Sequence, residues 1–281
     1  MTPRIKIIEL TDLVFVVAHN EDTLRLESAL ENQGFRVHVQ RGPYTPIQER
    51  FSRQLKCLIN HANVWRQVAV GGRPTLVFEA DFVPVSNFAQ RWSPLPNRLN
   101  DDCVGFAWLY SAGSILYGFD CDDFPHGHGN TMVAYVLTPR VAKILLAFFD
   151  REMERTPGGT YANWDSYLGI YLREEHNIFN YIPVYQFGEH GGTPQPEHAR
   201  QGVRAWHQAD VLLDSLEYVP PYARGRLWLY ALYRFRSYAR GWARLVLGRF
   251  YHPRRINDDT TRSRFSMMLF SIGRMLKLVK P

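Results

Sequence analysis

The chain has 281 residues, 46% of them hydrophobic and 21% charged, a balance that excludes a disordered protein, a collagen-like repeat or a disulfide-stapled miniprotein. Its net charge of +6 conceals a division, because residues 221–281 hold 14 Lys/Arg against 2 Asp/Glu, making that segment about +12 and the residues before it about −6. An acidic body does not suit a nucleic acid, whereas a basic tail suits a polyanion, either lipid headgroups or nucleic acid.

Residues 13–18 (LVFVVA) read as a buried strand, followed by polar His19-Asn20-Glu21-Asp22. A helical pattern on Leu24, Leu26 and Leu30 stops at Gly34, and residues 35–39 alternate like a second strand. That opening is of βαβ type and predicts an α/β body. Residues 48–70 carry apolar side chains at helical spacing up to Gly71-Gly72, and residues 74–78 read as a central strand running into Glu79-Ala80-Asp81. Pro84, Pro94 and Pro96 mark a loop-rich stretch. Strands are expected at 104–110, 114–119 and 132–137, with a flexible loop over 124–130. Helices follow at 139–154, with proline in the first turn, and at 163–175. Residues 179–187 read as extended and 188–196 as a Gly/Pro-rich loop.

Cys57, Cys103 and Cys121 form no CxxC pair, which fits a reducing cytosol. The opening residues meet an acid before any cleavable apolar core, so no signal peptide is expected. No uncharged run approaches the roughly 20 residues that span a bilayer.

The strand over 75–79 delivers two acids one residue apart. In extended chain they face the same side, so Glu79 and Asp81 can point into one crevice at the carboxyl edge of a sheet, where open α/β folds bind ligands. A hard divalent cation completed by substrate phosphates suits such a pair, and a solvated turn after a strand is the alternative. His126-Gly-His128, or His190 with His198, offer zinc-type chemistry and a metal-dependent hydrolase, but no HExxH or cysteine cluster accompanies them. His61, four residues after Cys57, shares its helix face and reads as a packed core histidine.

Cys57-Leu-Ile-Asn60-His61, a spacer with Trp65, the strand ending Glu79-Ala80-Asp81, the segment from Ala134-Tyr135 through Arg140 to Lys143, and Asn163-Trp164-Asp165 fall in one order. Together they resemble glycosyltransferase family 25, the lipopolysaccharide and collagen glycosyltransferase family. Ala80 stands where that family has a middle Asp, Asn60 where it has Ser, and His19-Asn20 with Arg25 only loosely match its opening motif. The resemblance implies a GT-A-like α/β fold: a single Rossmann-type nucleotide-sugar-binding domain over residues 1–218, with a basic amphipathic helical extension over 219–281. It implies Mn2+ or Mg2+ held chiefly by Asp81, with Glu79. Asp165 becomes the acceptor's general base, or else an acid favoured by a helix N-terminus. His19, Asn20, Asn60, Tyr135 and Trp164 become substrate contacts, with core packing the alternative for Tyr135 and Trp164. Residues 188–198 are not part of the family's pattern; from the residues alone, His190, on the loop after the 179–187 strand, reads as a further ligand of the same ion, and Glu189 instead as a contact to acceptor hydroxyls.

In the tail, Arg alternates with aromatics from 223 to 251, and Arg236, Arg240 and Arg244 recur at helical spacing as a cationic stripe; residues 265–279 set Met, Leu, Ile and Phe around Arg274 and Lys277. These segments resemble interfacial helices on anionic lipid. The alternatives are a helix that packs on the body and neutralises it, or RNA binding. The expected protein is therefore a peripheral glycosyltransferase on the inner face of the plasma membrane. It would move a hexose from a nucleotide-sugar, UDP-linked, to a lipid-linked or lipopolysaccharide glycan, with no nucleic acid partner. A non-catalytic adaptor with a degenerate transferase fold is the competing function.

Overall fold

The computed structural model describes residues 4–160, 163–192, 208–251 and 261–280. After a short helix α1 (Ile7–Leu10), the apolar run in β1 (Leu13–Val17) leads through α2 (Leu24–Glu31) to β2 (Arg36–Gln40), and α3 (Arg53–Val70) then returns the chain to β3 (Thr75–Glu79). β4 (Phe82–Pro84), β5 (Phe106–Tyr110), β6 (Ile115–Phe119), β7 (Pro125–His128) and β8 (Ala134–Leu137) follow. The chain continues through α4 (Pro139–Arg155), α5 (Asp165–Glu174), β9 (Asn180–Tyr181), β10 (Gly188–His190), α6 (Leu227–Val246) and α7 (Arg264–Met275). Eight strands form one mixed sheet in the order β2-β1-β3-β8-β5-β9-β7-β6, and β10 pairs with β4 in a separate two-stranded sheet. β2, β1 and β3 run parallel, whereas β8 is antiparallel to both of its neighbours.

Period-2 alternation divides the strands between two cores. Phe15 and Val17 of β1, Val77 of β3 and Tyr135 and Leu137 of β8 pack under α3 and α4, while Val14, Val16, Leu76, Phe78, Ala134 and Val136 face the other side with Leu26 and Leu30 of α2. Both faces are thus covered, which is why these strands read as unbroken apolar runs. Both long helices of the first face start at capped positions: Ser52 accepts from the Leu55 amide at 3.2 Å, and Thr138 caps α4 ahead of Pro139.

The chain leaves β1 toward β2 on one side and returns to β3 on the other. β1 and β3 therefore flank a topological switch point, and their carboxyl ends, Ala18-His19 and Glu79-Ala80-Asp81, open onto one crevice.

Several elements depart from the sequence reading. The helix expected from residue 48 begins at Arg53, because Ser52 caps it and only a 3₁₀ turn at Gln48–Arg50 precedes it. The expected flexible loop at 124–130 contains strand β7, paired with both β6 and β9. Its Gly127 is obligatory, since a Cβ there would lie 2.0 Å from the Ile115 carbonyl oxygen. The expected loop at 188–196 starts as β10, and the extended stretch 179–187 holds only the two-residue β9. His198 lies outside the described residues.

The basic segment docks on the body. Phe250, Met267 and Phe270 enter the core beneath α3 and α4. Arg274 is 1% exposed and binds both carboxylate oxygens of Asp210, at 2.8 and 2.9 Å. Burial opposes ionisation of Asp210, yet Arg274 holds its carboxyl far below the usual range. Arg240 and Arg244, expected on an outward cationic stripe, instead turn back to the carbonyls of Gln208 and Ser114, at 2.6 and 2.8 Å.

Candidate functional site

A cleft with about 560 Å³ of empty volume lies at the switch point, walled by Ala18, His19 and Glu21 after β1, by Glu79, Ala80 and Asp81 after β3, and by Arg53, Cys57 and Asn60 of α3. Glu79, Asp81 and His190 each place a ligand atom within 4.8 Å of the others, as do Cys57, His61 and Glu79. His190 arrives on β10, where its neighbour Glu189 pairs opposite Val83 of β4, and its Nε2 lies 3.1 Å from Asp81 Oδ2. Burial disfavours the imidazolium, but the charge and hydrogen bond of Asp81 outweigh it and lift the His190 pKa to about 9. Two carboxylates and an imidazole, with His190 giving up its proton as an ion binds, suit Mn2+, which takes oxygen and nitrogen donors, better than the all-oxygen preference of Mg2+. The donor set therefore fits the expected ion.

Glu79 is oriented from within the core. Trp65 Nε1–H can only donate, and it donates to the Tyr135 hydroxyl at 2.8 Å. That hydroxyl spends its own proton on His61 Nδ1 at 2.9 Å, which leaves the other ring nitrogen, Nε2, to carry the hydrogen toward Glu79 Oε1 at 3.4 Å. The Cys57 thiol reaches the same oxygen at 3.6 Å, and burial followed by the Glu79 charge pushes its pKa well up, so it stays a thiol. Trp65, Tyr135 and His61 are all fully buried. Tyr135, expected as a donor-site contact, therefore reaches the cleft only through His61. Trp164, expected to stack on a sugar, is likewise buried: it meets the His61 ring edge-on at 5.4 Å and donates to the Gln54 carbonyl.

Asn60 spans the crevice floor. Its Nδ2 donates to the Ala18 carbonyl at 2.8 Å and to the Tyr44 hydroxyl at 2.7 Å. A carbonyl can only accept, so the amide orientation is fixed, and Oδ1 is left buried with no hydrogen-bond partner. His19 lines the cleft edge-on to Tyr44, while its carbonyl accepts from Arg41, which also binds the Glu21 carbonyl. Asn20 is exposed beside it and does not line the cleft.

Asp165 is the first residue of α5, and its Oδ1 accepts from the Ser166 amide at 2.9 Å. Burial, then the Glu79 charge, raises its pKa to about 7. Glu189, expected to meet acceptor hydroxyls, points away from the cleft. It is fully buried, 2.7 Å from Arg234 Nη1 of α6 and 3.3 Å from the Tyr222 hydroxyl, and it accepts from the Ala209 amide. Burial pushes its pKa up and Arg234 pulls against it. The zinc-type pair does not assemble: His126 is buried against Phe179 on β7, and neither ligand cluster among the described residues includes His126 or His128.

Arg53 was not singled out from sequence. Its signal was its place directly after the capping Ser52, at the end of a helix aimed at the crevice.

No family model or curated protein matches the chain. Among solved structures it is similar to a glycosyltransferase involved in the glycosylation of the major capsid of PBCV-1, with 10% identity and a TM-score of 0.39 over 61% of this chain and 81% of that one. The resemblance to glycosyltransferase family 25 is thus carried by motif order alone.

Proposed function

We propose that the chain is a metal-assisted glycosyltransferase with a GT-A-like nucleotide-sugar site. It would move a hexose from a UDP-linked donor to a hydroxyl of a lipid-linked or lipopolysaccharide glycan. The observation that carries the proposal is the convergence of His190, on β10, with Glu79 and Asp81, which lie at the carboxyl end of β3 and line the switch-point cleft. Asp81, Glu79 and His190 would hold a divalent ion, which when bound supplies Lewis-acid neutralisation of the departing diphosphate.

The protein's own groups do the rest. Arg53 brings a cation to the cleft wall and suits phosphate oxygens. Asn60 Oδ1, on the cleft wall, would accept from a donor group of the nucleotide, since no hydrogen bond from the described residues satisfies it. Asp165 does not itself line the cleft, but it lies close enough to Glu79 for that charge to help raise its pKa to about 7, and it would take the acceptor hydroxyl's proton. The Trp65–Tyr135–His61 chain keeps Glu79 in place.

A thermal-shift screen of nucleotide-sugars with and without Mn2+ tests the reading, because a ligand that binds only the folded state raises the melting temperature. A metal-dependent shift with UDP-sugars, followed by turnover that Asp81→Ala abolishes, supports it. Binding without turnover identifies a non-catalytic adaptor, and indifference to every nucleotide refutes the donor site.

A further inference from the structure

Helix α6 keeps an apolar stripe outside while it packs on the body. Its protein-facing side mixes Arg234, Ser237, Gly241 and Arg244 with Tyr238 and Leu245, which pack on the cores; Ser237 and Gly241 are its only fully buried positions among the described residues. A Cβ on Gly241 would lie 2.8 Å from Met275 and 3.1 Å from Asp210, so the helix rests on its smallest residue. Trp228, Leu232, Phe235, Ala239 and Val246 recur at three-, four- and seven-residue spacing on the opposite face, with Trp228 at 63%, Phe235 at 70% and Val246 at 81% exposure. Amphipathic helices ordinarily turn that stripe toward the core.

α7 likewise exposes a second apolar side. Met267, Phe270, Ser271, Arg274 and Met275 face the body, whereas Phe265, Met268, Leu269 and, just past the helix, Leu276 are exposed, with Phe265 at 64%. The two stripes meet at a groove whose outer wall is Phe235, Tyr238, Leu276 and Lys277 and whose inner wall includes Asp210, paired with Arg274, and Asp214, paired with Arg91; Tyr238 ties the helices together by donating to the Met275 carbonyl at 2.9 Å. Arg224, Arg226, Arg249, Arg264, Lys277 and Lys280 are exposed on these segments, and residues 218–251 and 261–280 contain no Asp or Glu. No helix among the described residues is long and apolar enough to cross a membrane.

We infer that the outer face of α6 and α7 is a docking surface for an anionic lipid bilayer, on which both helices lie in the plane of the headgroups. Trp228, Phe235, Phe265 and Leu276 enter the acyl boundary, and the flanking Arg and Lys side chains meet lipid phosphates. Charge selects this occupant. A second copy would bring two rims of the same sign together, and a nucleic acid strand leaves the aliphatic part of the stripe uncovered. The face shares no residue with the cleft, so its test stands whether or not the chain turns over a nucleotide-sugar.

Sedimentation of the full chain with phosphatidylcholine vesicles, with and without phosphatidylglycerol, tests the inference. Binding is expected only to the anionic vesicles and should weaken as salt rises, with a blue shift of tryptophan fluorescence that Trp228→Phe diminishes without loss of binding. The double substitution Trp228→Ser/Phe235→Ser and the triple reversal Arg226→Glu/Arg264→Glu/Lys277→Glu should each weaken binding about tenfold or more, at unchanged melting temperature. The inference is overturned if anionic vesicles do not sediment the chain, if neutral vesicles bind it equally, or if both variants bind as the parent does. A dimer in analytical ultracentrifugation that the double substitution dissolves, or capture of a single-stranded RNA in place of vesicles, would overturn it as well.

Discussion

Replacing Arg234 by Met should destabilise the protein at pH 7 and do so less at pH 5. Arg234 supplies the only cation hydrogen-bonded to the fully buried Glu189 among the described residues, and it also donates to the Ala209 carbonyl at 2.7 Å. Breaking a buried pair by removing one partner costs about 3–5 kcal/mol. The Ala209 amide and the Tyr222 hydroxyl remain, and an unpaired Glu189 can protonate, so the lower figure, about 3 kcal/mol, is expected. For a chain of this size that corresponds to a fall in Tm of roughly 6–12 °C. The sign with pH follows from burial, which already raises the Glu189 pKa and is opposed chiefly by Arg234. Without the arginine the carboxyl rises further above its unfolded value, so the contribution of Glu189 to stability is fully present at low pH and is lost as pH rises through the folded pKa. Urea melts of the parent and Arg234→Met at pH 5 and 7 read both effects, and Glu189→Gln/Arg234→Met should recover much of the loss. A loss under about 1 kcal/mol, or one that grows toward low pH, would refute the reasoning.

Tyr135→Phe strips the hydroxyl that links Trp65 to His61; it should cost about 1–3 kcal/mol in urea melts and weaken Mn2+ binding about 10- to 100-fold by freeing Glu79. Asp165→Asn should leave Mn2+ and nucleotide binding intact in titration calorimetry while abolishing most sugar transfer. His126 is buried, and desolvation together with the Arg173 charge lowers its pKa to about 3. The unfolded chain therefore takes up a proton that the fold refuses, and stability falls as pH drops from about 6.5 toward 3 with a slope approaching 1.4 kcal/mol per unit. His126→Gln should flatten the stability profile over that interval by about one proton's worth, measured against the parent.

What the sequence disclosed and what it hid have physical causes. β1 and β3 were legible because a strand covered on both faces is apolar throughout, and the Glu79/Asp81 pair was legible because the polarity changes abruptly where the sheet ends. β7 was hidden because Pro125, Gly127 and two histidines carry no strand signal; the close approach of the Ile115 carbonyl, which demands the glycine, is a tertiary fact. Glu189 illustrates the limit of adjacency. In extended chain it and His190 face opposite sides, so the residue beside a metal-type ligand is spent on Arg234, 45 positions further on. Trp164 and Tyr135 could face a sugar or the core from the sequence; both are buried, as supports of His61. In the tail the helical periods were plain, but periodicity does not say which face meets the protein. The inner sides are given in part to the buried carboxylates and carbonyls that Arg234, Arg240, Arg244 and Arg274 satisfy, which leaves apolar residues outside.

The account stands on Glu79, Asp81 and His190 jointly holding a divalent ion at the cleft. Titration of the protein with Mn2+, followed by the electron paramagnetic resonance of the free ion, measures that directly. One ion per chain, bound more tightly when UDP is present and lost in both Asp81→Asn and His190→Ala, is the predicted result. The absence of stoichiometric binding, or binding that both variants retain, would contradict it.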